Sequence, residues 1–165
     1  MSAAVRVTRA DLADAADAAA LVDLLDAYAR DPMGGGVPLA TAVRARLPGD
    51  LAARPGTHVF IARCAGAPAG LAICFEGYST FAGAPLLNIH DFAVVPARRG
   101  QGVGRALLAA VETAAQALGC CKITLEVLSG NGPAQALYVS AGFAPYALDP
   151  AIGHALLMQK PLGAK

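Results

Sequence analysis

The stretch Arg98–Glu112, RRGQGVGRALLAAVE, places two arginines and three alternate glycines directly ahead of an apolar helical run. Upstream, Leu86–Val95 reads LLNIHDFAVV, an apolar strand that Pro96 stops. Downstream, Val103, Leu107, Leu108, Val111 and Leu118 recur on one helix face until Gly119 supplies a C-terminal stop. CKITLEV then sets Ile123, Leu125 and Val127 against Lys122, Thr124 and Glu126. Strand, crossover helix and strand in this order give two parallel neighbours in one sheet.

The flanks extend that unit. Val5–Ala10 alternates as a short strand, and from Asp11 a helix carries Leu21, Leu24, Leu25 and Tyr28 at helical spacing. PMGGGVP, Pro32 to Pro38, is a loop; Leu39–Ala53 follows as a second helix, interrupted or bent at Pro48. HVFIARCAG and GLAICFEGYS, on either side of Gly66–Pro68, form an antiparallel hairpin. After a short helix over Pro133–Ala141, FAPYALD and HALLMQKPL read as two closing strands. The expectation is one α/β domain spanning residues 1–165: a mixed, twisted, seven-stranded sheet with about four helices on both faces.

Composition narrows the partners. The 165 residues are 56% hydrophobic and 15% charged, which excludes a disordered chain, and a net charge of +1 argues against sequence-blind nucleic-acid binding. No apolar run reaches the roughly 18–20 residues of a membrane span, and the N-terminus lacks a signal-like apolar region. A soluble, cytoplasmic protein with a small-molecule partner is expected. Cys64, Cys74, Cys120 and Cys121 form no CxxC pair and read as buried, reduced thiols. No metal site is expected.

A strand that enters a glycine turn and then a helix leaves several amide N–H groups unpaired near one point, where the helix dipole adds positive potential. That arrangement binds anions. Gly100, Gly102 and Gly104 remove side chains that would obstruct a phosphate, and Arg98, Arg99 and Arg105 add charge at the rim. A Walker A loop is excluded because Arg105, not Lys, follows Gly104. A dinucleotide fingerprint would need glycine at position 105 and would sit after the first strand.

Arg99, Gly102 and Gly104 match the Arg/Gln-x-x-Gly-x-Gly/Ala signature, and the stretch from Gly70 to Phe143 resembles the GNAT superfamily of acetyl-coenzyme A dependent N-acetyltransferases. The block Asn131–Phe143, NGPAQALYVSAGF, is similar to that family's next block. LLNIHDFAV is similar to the spermidine/spermine and thialysine acetyltransferases. The resemblance implies a sheet splayed between its fourth and fifth strands, opening a wedge between Val94 and Glu126 for the thioester. It implies a pyrophosphate on the backbone of Gly100, Gln101, Gly102, Val103, Gly104 and Arg105, with Arg99 at its edge. The pantetheine arm would pair with Phe92, Ala93 and Val94 and be flanked by Asn131, Pro133 and Ala134. A homodimer is expected by the same analogy.

Acetyl transfer to an amine needs a neutral nucleophile, an oxyanion donor and a proton for a thiolate whose ordinary pKa is about 8.5. Tyr138 stands at the family's tyrosine position and is the candidate acid; a phenol is protonated at neutral pH. His90 stands where relatives often carry glutamate and is a candidate base, with Asp91 or a water chain as alternatives. Alternation places Asn88, His90, Phe92 and Val94 on one face and Asp91 on the other. The oxyanion donor would be an amide near Val94. Acceptor contacts are expected from the Met33–Val37 loop at Gly34, from Glu76 and Tyr78, and from Asp31, Asp91 and Glu126. A primary amine of a small molecule, diamine or lysine-like, is the favoured acceptor. A protein N-terminus or lysine is the alternative, and a non-catalytic coenzyme A sensor is the reading from another class.

Overall fold

The computed structural model describes residues 4–149, 151–153 and 155–163. The elements are β1 (Val5–Arg9), α1 (Ala15–Arg30), α2 (Thr41–Ala53), β2 (Thr57–Cys64), β3 (Ala67–Ser79), β4 (Ala84–Val94), α3 (Val103–Ala117), β5 (Ile123–Leu125) and α4 (Gly132–Ser140). Short 3-10 turns lie at Pro32–Gly34 and Pro96–Arg98. The sheet runs in chain order from β1 to β5. The first four strands are antiparallel neighbours, and β5 joins β4 in parallel through the α3 crossover.

Two apolar layers sandwich this sheet. On one side, Ala20, Leu21 and Leu24 of α1 and Leu51 of α2 pack on Val59, Ile61, Leu71 and Ile73. On the other, Val103, Leu107, Leu108, Val111 and Ala115 of α3 cover Phe60, Ala62, Ala72, Cys74, Leu87 and Ile89, and Tyr138 of α4 joins them. Alternate residues of β2 and β3 therefore serve opposite cores, as a two-residue side-chain period requires. Asp14 starts α1 by accepting the amides of Ala16 and Asp17. Pro48 lies inside α2 without ending it.

Three expectations change. The sheet has five strands, not seven: described residues of the two C-terminal segments, 143–149 and 155–162, pair with nothing, and His154 of the second lies outside the described residues. The physical reason is the brevity of β5. Only Ile123–Leu125 of CKITLEV form a strand, which leaves little edge to extend, and Pro145 and Pro161 have no N–H to contribute. Of the four cysteines, Cys64 and Cys74 are buried, but Cys120 is half-buried and Cys121 is exposed. Alternation along β4 is also broken, with consequences for the site.

Candidate active site

The glycine segment forms the turn between β4 and α3. Gly100 (φ 72°) and Gly102 (φ 84°) both occupy the left-handed region, where glycine alone is unstrained. A Cβ on either would meet open space, so backbone conformation, not crowding, selects glycine there. Gly102 caps α3 with no side-chain acceptor, and the first helical bond runs from the Ala106 N–H to the Gly102 carbonyl. The amides of Val103, Gly104 and Arg105 are thus left without helical partners. Gly104 has a different reason: a Cβ there would lie 2.7 Å from Leu137 Cδ2, so it lets α4 approach α3. The Val103 side chain is core, and Gln101 turns back to donate to the Ala97 carbonyl at 2.8 Å. Arg105 donates to Ser140 Oγ at 3.2 Å, which ties the cradle to α4.

Beside the cradle, β4 loses its neighbour. Leu87, Asn88 and Ile89 pair with Ile123, Thr124 and Leu125, and beyond Ile89 no β5 residue continues the ladder. From His90 to Val94 the strand edge opens into a cleft of about 1360 Å³, lined also by Arg98, Arg99, Gly100, Gly102, Gly104 and Arg105. Glu126 to Ser129, Asn131, Pro133, Ala134 and Tyr138 form the far wall. Asn131 caps α4, accepting the Ala134 amide at 3.2 Å. All of Phe92, Ala93, Val94, Asn131, Pro133 and Ala134 border the cleft; Gln101 and Val103 do not present side chains to it.

A β-bulge sits at the point where the strands part. Ile73 faces Asp91 while Cys74 faces Ile89, so His90 has no partner on β3. The extra residue changes the parity of β4: Leu87 and Ile89, then Phe92 and Val94, all pack on the α3 side. His90 goes the other way, its ring edge-on to Phe75 at 5.3 Å, and Phe75 belongs to the α1 side. The expected grouping of His90 with Phe92 and Val94 is therefore overturned, and His90 and Asp91 are not separated by strand alternation. Burial pushes the Asp91 carboxyl above its usual range, partly opposed by His90.

Two tyrosines meet the cleft. Tyr138 is 7% exposed and stands edge-on to Phe92 and tilted to Phe143, each at 5.8 Å. Burial, with a smaller contribution from Tyr28, pushes its phenol up to about 12. Tyr28, on the last turn of α1, is raised by burial first and then by Asp91 and Asp31. The sequence reading placed Tyr28 only on a core stripe and missed it as a site residue. Its position, last on that stripe and just before the Pro32–Pro38 loop, was the available signal.

The acceptor-side expectations divide. Asp31, Pro32 and Met33 border the cleft, and Gly34 closes their turn, where a Cβ would overlap the Tyr28 carbonyl. Glu126 lines the opposite wall. Glu76 and Tyr78 lie elsewhere: β3 is antiparallel to β4, so they pair with Leu87 and Pro85, toward the closed end. Tyr78 is roughly 16 Å along the strand from His90, at about 3.3 Å per residue. The Glu76 carboxylate is already engaged, 2.6 Å from Nε2 of buried His58. Among the described residues, no group of three or more His, Cys, Asp or Glu side chains could hold a metal ion, and no helix is long and apolar enough to cross a membrane.

Sheet, cradle and splayed edge together have the layout of an acetyltransferase. The model of the acetyltransferase (GNAT) family matches residues 19–143, and the chain belongs to that family. It is 37% identical over 83 residues to the streptothricin acetyltransferase of Streptomyces lavendulae, a match covering 46% of this chain and 44% of that protein. The matched part therefore spans less than half the length of that relative. Among solved structures, a probable acetyltransferase superposes with a TM-score of 0.78 at 18% identity, covering 97% of this chain and 99% of that one. An aminoglycoside acetyltransferase from an uncultured soil metagenomic sample gives a TM-score of 0.74 at 16% identity, over 98% and 97% of the two chains. At such identities these two structures speak to the fold alone.

Proposed function

We propose that the chain transfers an acetyl group from acetyl-coenzyme A to a primary amine of a small molecule, with a diamine or lysine-like amine favoured. The observation that carries the reading is the meeting, in one cleft, of an uncapped glycine cradle, a β4 edge without a partner, and a buried phenol. The cradle suits a pyrophosphate: open space at Gly100 and Gly102, free first-turn amides, and Arg98, Arg99 and Arg105 around it. The open edge from His90 to Val94 offers main-chain partners to an extended amide-bearing arm. The thioester supplies an activated acyl carbon: its C–S bond breaks, a C–N bond forms, and one proton passes from nitrogen to sulfur.

The chain's own groups handle that proton. His90, on the cleft edge of β4, receives it from the amine, directly or through water. Tyr138, with its phenol at about 12, stays protonated at neutral pH but is a weaker acid than a thiol of about 8.5. Its role as acid is to donate to sulfur as charge builds there; the proton that His90 took from nitrogen returns to water, and water replaces the one that sulfur receives. Glu126 on the cleft wall attracts a cationic acceptor, with Asp91 adding negative charge near Tyr28 and not from the lining itself; the names of the relatives, streptothricin and aminoglycoside acetyltransferases, fit amine-rich small molecules. Work in the cytoplasm as a homodimer belongs to the same reading. The run of exposed Leu148, Ile152, Leu156, Leu157, Met158 and Leu162 in the C-terminal segment supports association.

The test is thiol release from acetyl-coenzyme A with a panel of diamines, amino acids, aminoglycosides and peptide amines. Turnover with small amines supports the proposal, and turnover confined to peptides replaces the acceptor class. Coenzyme A binding without turnover on any amine overturns catalysis in favour of a sensor.

A further inference from the structure

The Arg99 guanidinium joins two parts of the cleft lining. Its Nε donates to the Val94 carbonyl at 3.0 Å, at the open end of β4, and its Nη2 donates to Asp31 Oδ2 at 2.8 Å. The same Asp31 organises the adjoining turn. Its Oδ1 accepts the Met33 amide at 2.9 Å, and its carbonyl accepts those of Gly34 at 2.8 Å and Gly36 at 3.1 Å. Gly34 packs so closely on the Tyr28 carbonyl that no side chain fits between them. One residue thus shapes the Pro32–Gly34 turn, its carboxylate through the Met33 amide alone, and that carboxylate is bonded to Arg99, 68 residues away.

The ion pair is poised to respond to the cradle. Arg99 is 54% exposed and Asp31 17%, so in the open cleft water screens the attraction, and such pairs contribute little. Filling the cradle takes Arg99 out of water, and the same geometry then becomes stronger because the local dielectric falls. The Asp31 carboxyl already lies below its usual range, first because of the Arg99 hydrogen bond and then because of the Met33 amide.

We propose that Asp31 is a positioning residue that couples donor to acceptor: through Arg99, occupation of the glycine cradle fixes the Pro32–Gly34 wall against which the amine is seated. This rests on the acetyl-coenzyme A reading above. Asp31→Asn separates the two jobs of the side chain, since asparagine still caps a turn but carries no charge.

Hydrogen exchange on the whole chain with and without coenzyme A reads the coupling without any acceptor. In the unaltered protein, coenzyme A is expected to slow exchange in the segment holding Met33, Gly34 and Gly36 by about 5-fold or more, the low end of ordinary coupling. Asp31→Asn is expected to abolish that response while the loop at Arg98–Ala106 stays protected. Its acceptor KM should rise by about 5-fold or more, with coenzyme A Kd changed by less than about 3-fold. With Arg99→Gln already present, adding Asp31→Asn should change neither the exchange response nor the acceptor KM further. The proposal is overturned if the 33–36 amides respond equally in Asp31→Asn, or if acceptor KM is unchanged. Protection of the Arg98–Ala106 loop alone sinks the coupling and leaves the acetyltransferase reading intact; no binding of coenzyme A sinks both.

Discussion

Leu87–Ile89 and His90–Val94 are consecutive stretches of β4, and they do opposite things. The first half has β3 on one side and β5 on the other, with Leu87 at 0% and Ile89 at 2% exposure. The second keeps β3 but has no β5 partner, and its residues are half-buried or exposed. The bulge at His90 marks the boundary. A strand that loses a neighbour becomes available to a ligand, because unpaired main-chain groups and partly covered side chains are what a ligand can use.

The largest expected effect lies in the closed half. Leu87→Ala removes a fully buried side chain from the α3 core and should cost about 2–5 kcal/mol of unfolding free energy by denaturant titration. Per folded molecule, kcat should stay within about 2-fold of the parent, since Leu87 is not part of the cleft lining. A large fall in kcat would show that the two halves are mechanically joined.

Next in size is Tyr138→Phe, which keeps the ring against Phe92 and Phe143 and deletes only the hydroxyl. Thiol release should fall by about 10- to 100-fold or more in kcat, with coenzyme A affinity and melting temperature little changed. Parent-like turnover in this variant would remove Tyr138 from the chemistry. His90→Gln should follow, lowering kcat/KM by about 10-fold at neutral pH while unfolding stability holds, because His90 is exposed and has no β3 partner. An unchanged rate would assign the proton to a water chain instead.

The contrast between the halves also explains what could be read in advance. The β4–α3–β5 unit was legible because its periods change cleanly from two to 3.6 and back, with Pro96 and Gly119 as punctuation. The glycine turn between β4 and α3 was legible from its spacing, although Gly100 and Gly102 stand there for their positive φ and not, as expected, to clear side chains away. The bulge was not: one unpaired residue leaves no compositional mark, yet it moves His90 to the other side of the sheet. Glu76 and Tyr78 were misplaced for a topological reason, since an antiparallel strand carries its C-terminal end away from the end where β4 opens. The C-terminal segments alternate well enough to suggest strands, but a strand also needs an edge, and three residues of β5 offer little. Tyr28 was hidden by its own apolar spacing, which accounts for a core role as readily as for a wall of the cleft.

The smallest effect is the most direct probe of the boundary. Asp91 faces Ile73 just beyond the bulge, and burial raises its carboxyl above the unfolded value, near 3.9. A raised carboxyl binds its proton more tightly in the folded chain, so stability is full below the unfolded value and falls as pH rises through the folded one. Asp91→Asn removes a charge that the fold tolerates poorly. It should therefore raise the melting temperature at pH 7 by about 2–4 °C, corresponding to ~1 kcal/mol in a chain of this size. The gain should shrink as pH is lowered toward 4. If Asp91 also attracts the acceptor's second cationic group, the same variant should raise KM more for a diamine than for its monoamine analogue. A melting temperature that falls at pH 7 would mean that Asp91 is paired in the folded chain, and the open half of β4 would then be less open than its missing strand partner implies.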